Sequence, residues 1–194
     1  MIKKELDDLL SEEKQLYFGI QNSNYKQMKK QKHKRYYIWK YLFYFRLCQY
    51  YMAKRTGIEN GSFERRIAKY LFRFYEKRKN EYSYKSGVEI GINSKIGRNC
   101  DIWHSGVIIN GTIGDNCIFH GNNTIGNKGK GKETQCPILG SNIDVGVGAV
   151  VIGKVRIANN VIIGACSMVS KDFLEPNCTI IGVPGRQLLK KNES

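Results

Sequence analysis

Proline is nearly missing from this 194-residue chain, at 3 residues, and tryptophan and histidine number only 2 and 3. So little proline beside 20 glycines excludes a collagen-type repeat and a disordered proline-rich linker. Long apolar runs are absent too. Residues 36 to 52, YYIWKYLFYFRLCQYYM, are broken by Lys40 and Arg46 and fall short of the roughly 20 residues a bilayer span needs. The six cysteines (Cys48, Cys100, Cys117, Cys136, Cys166, Cys178) form no CxxC pair, so neither a disulfide framework nor a structural zinc is signalled. Most read as small buried hydrophobes. The opening MIKKELDDLLSEEK has charges from its third residue and no apolar stretch, so a cytoplasmic protein without a secretory signal is expected. Acidic residues are few, 17 against 32 Lys+Arg, for a net charge of +15.

What is present divides the chain in two. Residues 1 to 86 hold 21 Lys+Arg and 9 Asp+Glu, a surplus of 12, whereas residues 87 to 194 hold 11 and 8, a surplus of 3. Seventeen of the 20 glycines lie from Gly87 onward. A basic, aromatic-rich helical region over 1–86 and a second domain over 87–194 follow. Phe63, Ile67, Leu71 and Tyr75 recur every four positions, with Arg65, Arg66, Lys69, Arg73 and Lys77 between them, and Ser62 stands as the N-cap. Residues 36–52 predict a helix packed against its own protein or a sister subunit; the competing reading is an aromatic, basic helix on an anionic membrane surface.

The second part repeats every six residues. Ile90, Ile96, Ile102 and Ile108 are so spaced, as are Ile113, Phe119 and Ile125, then Leu139, Val145, Val151, Ile157, Ile163 and Val169. Glycine often follows the aliphatic residue, as at Gly97, Gly114, Gly140 and Gly164. One large aliphatic per six residues fits a short strand plus a turn, three such sides closing one coil of a parallel β-helix. The phase breaks at Ile108–Ile113, a step of five, and at Ile125–Leu139, a step of 14. The second break predicts a protruding loop over 127–136, NKGKGKETQC, a common place for function on a rigid scaffold.

This hexad resembles that of the hexapeptide-repeat acyltransferases, and the ending DFLEPNCTIIGVPGR looks like their exit segment, here 172–194. The resemblance implies a mainly β fold, a left-handed parallel β-helix that assembles as a homotrimer, preceded here by the small α-helical region. Within the family, EIGINSKIGRNCDIWHSGVIIN resembles serine acetyltransferases and the O-acetyltransferases of bacterial surface polysaccharides. Their catalytic histidine falls at His104 and their acidic partner at Glu89. Such a pair suits the chemistry, because a hydroxyl attacks a thioester only as a positioned base removes its proton.

Two departures bear on the acceptor. Where serine acetyltransferases have an Asp that grips the serine ammonium stands Trp103, whose apolar face suits a sugar ring. Where they have an Arg–His pair before a proline stand Gln135 and Cys136. Acceptor binding is therefore assigned to Trp103, His120 and Gln135. His120 follows Phe119 by one position, as His104 follows Ile102 by two, about one coil apart. For acetyl-CoA, the co-substrate, the matching positions are Val147, Gly148, Ala165 and Cys166, with Arg186 and Lys190 toward its phosphates. No metal is expected, since His33, His104 and His120 match a three-histidine site poorly.

The leading expectation is an acetyl-CoA-dependent O-acetyltransferase acting on a glycan or nucleotide-sugar hydroxyl of a bacterial capsule or similar polysaccharide. Peripheral contact with the inner membrane belongs to that reading, and nucleic acid does not. Serine O-acetyltransferase is the alternative enzyme, and a non-catalytic scaffold binding membrane or nucleic acid is the alternative of another class.

Overall fold

A computed structural model describes residues 2–19, 24–58 and 60–188. The chain divides into two compact units, 1–93 and 94–194.

The first unit contains α1 (Lys3–Phe18), α2 (Tyr25–Lys30), α3 (Lys34–Thr56), α4 (Phe63–Ser86) and the strand β1 (Val88–Ile90). Helix α3 is its centre: Ile38, Trp39, Tyr41, Leu42 and Phe45 are all buried. The segment 36–52 is thus packed inside its own chain. Among the described residues no helix is long and apolar enough to cross a membrane. His33, which is exposed, caps α3, its Nδ1 accepting from the Arg35 N–H at 3.2 Å. Ser62 caps α4 in the same way, accepting from Arg65 N–H at 3.2 Å.

Between α3 and α4 runs a row of stacked tyrosines, with ring centroids 5.4 Å apart for Tyr44–Tyr82, 6.2 Å for Tyr44–Tyr75 and 5.5 Å for Tyr51–Tyr75. The Arg46 guanidinium meets the Glu13 carboxylate at 2.8 Å with both groups buried. Burial pushes the Glu13 carboxyl up, against the pull of Arg46.

The four-residue stripe of α4 does not stay on one face. A step of four turns about 400° at 3.6 residues per turn, so the stripe drifts by about 40° each time. Phe63 and Ile67 consequently point outward, and the buried residues are Ala68, Phe72 and, at the last position, Ser86. Gly87, left-handed at φ 68°, ends the helix at the expected 86/87 boundary, whereas the compact units part after Asn93. The difference is β1, which the first unit retains: the Tyr41 hydroxyl accepts from Ile90 N–H at 2.5 Å and donates to the Ile90 carbonyl at 3.3 Å.

The second unit belongs to a parallel β-solenoid of about five turns. Its first turn is β2 (Lys95–Ile96), β3 (Asp101–Ile102) and β4 (Val107–Ile109); its second is β5 (Thr112–Ile113), β6 (Ile118–Phe119) and β7 (Thr124–Gly126). The third is β8 (Ile138–Leu139), β9 (Asp144–Val145) and β10 (Val150–Ile152), and the fourth β11 (Arg156–Ile157), β12 (Ile162–Ile163) and β13 (Met168–Val169). The exit hairpin is β14 (Thr179–Ile181), parallel to β12, and β15 (Arg186–Gln187), antiparallel to β14.

Strand register stacks the hexad aliphatics. One side carries Ile96, Ile113, Leu139 and Ile157, and the next Ile102, Phe119, Val145 and Ile163. The third carries Ile109, Ile125, Val151 and Val169. Ile108, assigned inward by the six-residue spacing, is 47% exposed, and its neighbours Val107 and Ile109 are buried. The true step from Ile102 is therefore seven, and the additional residue lies in the corner Trp103–Gly106. The coil then regains register by a short step of four to Ile113.

One corner is a ladder of asparagines. Asn99, Asn116, Asn142, Asn160 and Asn177 all have φ between 54° and 59°, a left-handed turn that asparagine tolerates better than other side chains. Each Nδ2 donates to the Oδ1 of the next, at 3.3, 3.1, 2.9 and 3.0 Å. The loop 127–136 leaves between β7 and β8 and is braced within itself, for example by Gly131 N–H to Glu133 Oε1 at 2.9 Å.

Candidate active site

The corner after β3, β6, β9 and β12 gathers most of the expected site. Backbone bonds stack it turn on turn: Trp103 N–H to Phe119 carbonyl at 2.9 Å, His120 N–H to Val145 carbonyl at 3.0 Å, Gly146 N–H to Ile163 carbonyl at 2.8 Å. Gly106, Asn122, Gly148 and Cys166 turn this corner with φ of 79°, 53°, 71° and 55°. The lengthened first-turn corner carries His104 outward, where it is exposed.

His104 rests on Gly121 of the turn below. A Cβ at Gly121 would lie 2.7 Å from His104 Cβ, and its φ of 120° is itself a glycine conformation. Beneath it, fully buried Asn123 accepts from Gly121 N–H at 2.9 Å and donates to the Gly146 carbonyl at 2.8 Å. Neither residue is evident from hexad spacing, though a polar Asn123 so near an inward position is a signal.

His120 is held from below: its Nε2 lies 2.8 Å from Asp144 Oδ1, the imidazole 29% and the carboxylate 42% exposed. Its ring stands 4.4 Å from the Trp103 ring at 54°, and the Trp103 indole N–H donates to Asp101 Oδ2 at 3.0 Å. Asp101, Trp103, His120 and Asp144 are therefore one connected group across three turns. The two carboxylates escaped sequence reasoning. Each directly precedes a hexad aliphatic, the outward slot of the same sheet, but their meeting with Trp103 and His120 depends on register across turns.

Glu89 lies on β1 of the first unit, exposed, and lines a 490 Å³ pocket with Tyr41, Glu76, Lys79 and Tyr84. Gln135 is half-buried in the protruding loop, its N–H donating to the Lys132 carbonyl at 2.9 Å. Val147, Gly148, Ala165 and Cys166 come together on successive turns, with Cys166 N–H bonded to the Val147 carbonyl at 2.9 Å. Small or absent side chains there leave backbone open to a ligand chain. Arg186 stands on β15 beside a 570 Å³ groove lined also by Ile181, Val183, Pro184 and Leu188. Lys190 lies outside the described residues. Among the described residues no group of three or more His, Cys, Asp or Glu is placed to hold a metal ion.

No family model matches the chain. Among curated proteins it is 39% identical over 108 residues to a serine acetyltransferase of Synechococcus elongatus, a match covering 54% of this chain and 44% of that protein. It is 38% identical over 103 residues to the serine acetyltransferase of Staphylococcus aureus, covering 52% and 48%. The matched stretch spans about half the length of these relatives. Among solved structures, serine acetyltransferase from Neisseria gonorrhoeae superposes with TM-score 0.67 at 20% identity, over 99% of this chain and 69% of that one. Serine acetyltransferase from Brucella abortus in complex with coenzyme A superposes with TM-score 0.70 at 19% identity, over 96% and 68%. At such identities these two likenesses are of fold.

Proposed function

We propose that this chain is an acetyl-CoA-dependent O-acetyltransferase in which His104 is the general base. The observation that carries the reading is an exposed imidazole seated on a glycine at a solenoid corner that also carries a second imidazole held by a carboxylate. In the proposed step His104 takes the proton of the acceptor hydroxyl as its oxygen attacks the thioester carbonyl. The carbon–sulfur bond then breaks, and the imidazolium returns the proton to the departing thiolate. Val147, Gly148, Ala165 and Cys166 would line the pantetheine, and Arg186 would meet its phosphates. Glu89 remains the acidic partner assigned by resemblance, and cytoplasmic homotrimers belong to the same proposal.

L-serine is the acceptor that the similar proteins support. Trp103 removes one partner for the serine ammonium, but the half-exposed Asp144 supplies another anionic group at this corner. A second reading, a sugar hydroxyl, is favoured by the Trp103 indole, which is 43% exposed and fixed by Asp101 and His120. Thiol release from acetyl-CoA, measured for the full chain and for His104→Ala with L-serine, nucleotide sugars and bacterial glycans, separates them. Serine-dependent release abolished by His104→Ala is the expected result. Release with glycans alone would transfer the acceptor to the second reading, and equal, acceptor-independent release by both proteins would overturn the enzyme.

A further inference from the structure

Helix α4 carries an apolar stripe that its own unit leaves uncovered. Phe63, Ile67, Tyr70 and Phe74 are 75%, 42%, 69% and 47% exposed. Their four-three-four spacing holds them within about 60° of one another around the helix. Aligned exposed aromatics of this kind mark a contact surface rather than scattered surface residues. Along one edge of the stripe lie the exposed cations Arg66, Lys69, Arg73 and Lys77, and Glu64 is the one exposed acid between Phe63 and Lys77.

We propose that this face of α4 binds an anionic lipid surface, the helix lying in the plane of the interface. The aromatic stripe enters the boundary between headgroups and acyl chains, and the flanking cations meet headgroup phosphates. The arrangement answers a partner that is apolar beneath and anionic above. Stripe-to-stripe pairing of two copies fits poorly, because it would set four cations of one helix against four of another with only two exposed carboxylates to offset them. A nucleic acid would satisfy the cations but has no apolar layer for Ile67. The membrane-surface pattern weighed for 36–52 as the competing reading is, on this proposal, carried by α4. The inference does not rest on the acetyl-transfer reading, and its test needs no activity.

The test is co-sedimentation of the full chain with vesicles of phosphatidylcholine, alone or with about one-third phosphatidylglycerol. Binding is expected only to the anionic vesicles and weakens with salt. At about fivefold per cation, Arg66→Gln with Arg73→Gln lowers partitioning about thirtyfold. Phe63→Ser with Phe74→Ser lowers it on the order of tenfold. All four positions are exposed, so circular dichroism should remain that of the wild type. Failure to bind anionic vesicles, or wild-type binding by both variants, overturns the proposal. So does a fall in native mass in the serine variant without any change in lipid binding, which would assign the stripe to a second copy. Loss of duplex binding in the glutamine variant with no vesicle binding in any protein would assign the cations to nucleic acid.

Discussion

Gly121→Ala tests whether the seat beneath His104 governs the proposed reaction. The added methyl would sit 2.7 Å from His104 Cβ and 3.2 Å from the Ser105 carbonyl oxygen, at a φ of 120°. Carbon atoms settle at about 3.5–4.0 Å, so the two groups must part by about an ångström. Backbone strain in this region costs about 1–3 kcal/mol, and an ångström of misplacement costs on the order of a hundredfold in rate. The expected outcome is thiol release from acetyl-CoA lowered about a hundredfold, with a melting temperature lowered by several degrees. Gly126→Ala is the control. A Cβ there meets nothing within 4 Å, so activity is unchanged and stability holds or rises by a few tenths of a kcal/mol. Activity of Gly121→Ala within threefold of wild type would refute the argument, because His104 would then not depend on its seat.

Asn142→Ala removes two rungs, at 3.1 and 2.9 Å, and places alanine at φ 58°; thermal unfolding should show a loss of about 2–3 kcal/mol, with about 1 kcal/mol recovered by Asn142→Gly. Glu13→Gln leaves a buried guanidinium without its counter-charge and should cost about 3 kcal/mol in denaturant unfolding, most of it restored in Glu13→Leu with Arg46→Met. Burial pushes the Cys48 thiol up to about 12, which leaves only about one molecule in ten thousand as thiolate at pH 8. Alkylation followed by peptide mass mapping should therefore mark exposed Cys166 first and Cys48 only after unfolding.

The solenoid was legible because its core asks for one aliphatic per side, and that demand prints a six-residue period. The period could not reveal that the corner at Trp103–Gly106 holds one residue more, since Ile108 and Ile109 are both acceptable inside. Only pairing of Ile109 with Ile125 decides it. The asparagine rungs were hidden for a related reason: neighbours in space are 17, 26, 18 and 17 residues apart in sequence, the second interval stretched by the loop. His104 and His120 could be placed on one side from their offsets to Ile102 and Phe119. Asp144 could not, because it reaches His120 from a strand 24 residues later. In α4 the stripe beginning at Phe63 was visible, but its drift from the exposed face toward the buried side requires helical geometry as well as spacing.

The asparagine ladder is also electrically polar. Every rung runs the same way, with the Nδ2 of the earlier residue donating to the Oδ1 of the later one. The five carboxamide dipoles therefore add rather than cancel, and each polarises the next. A β-solenoid otherwise has little net dipole along its axis, because the backbone N–H groups that join successive turns point in both directions along it, as Trp103 N–H does toward the Phe119 carbonyl and Asn122 N–H toward the Ser105 carbonyl. This corner gives it one, with the amide hydrogens directed toward the turn that bears Asn177 and the carbonyl oxygens toward the turn that bears Asn99.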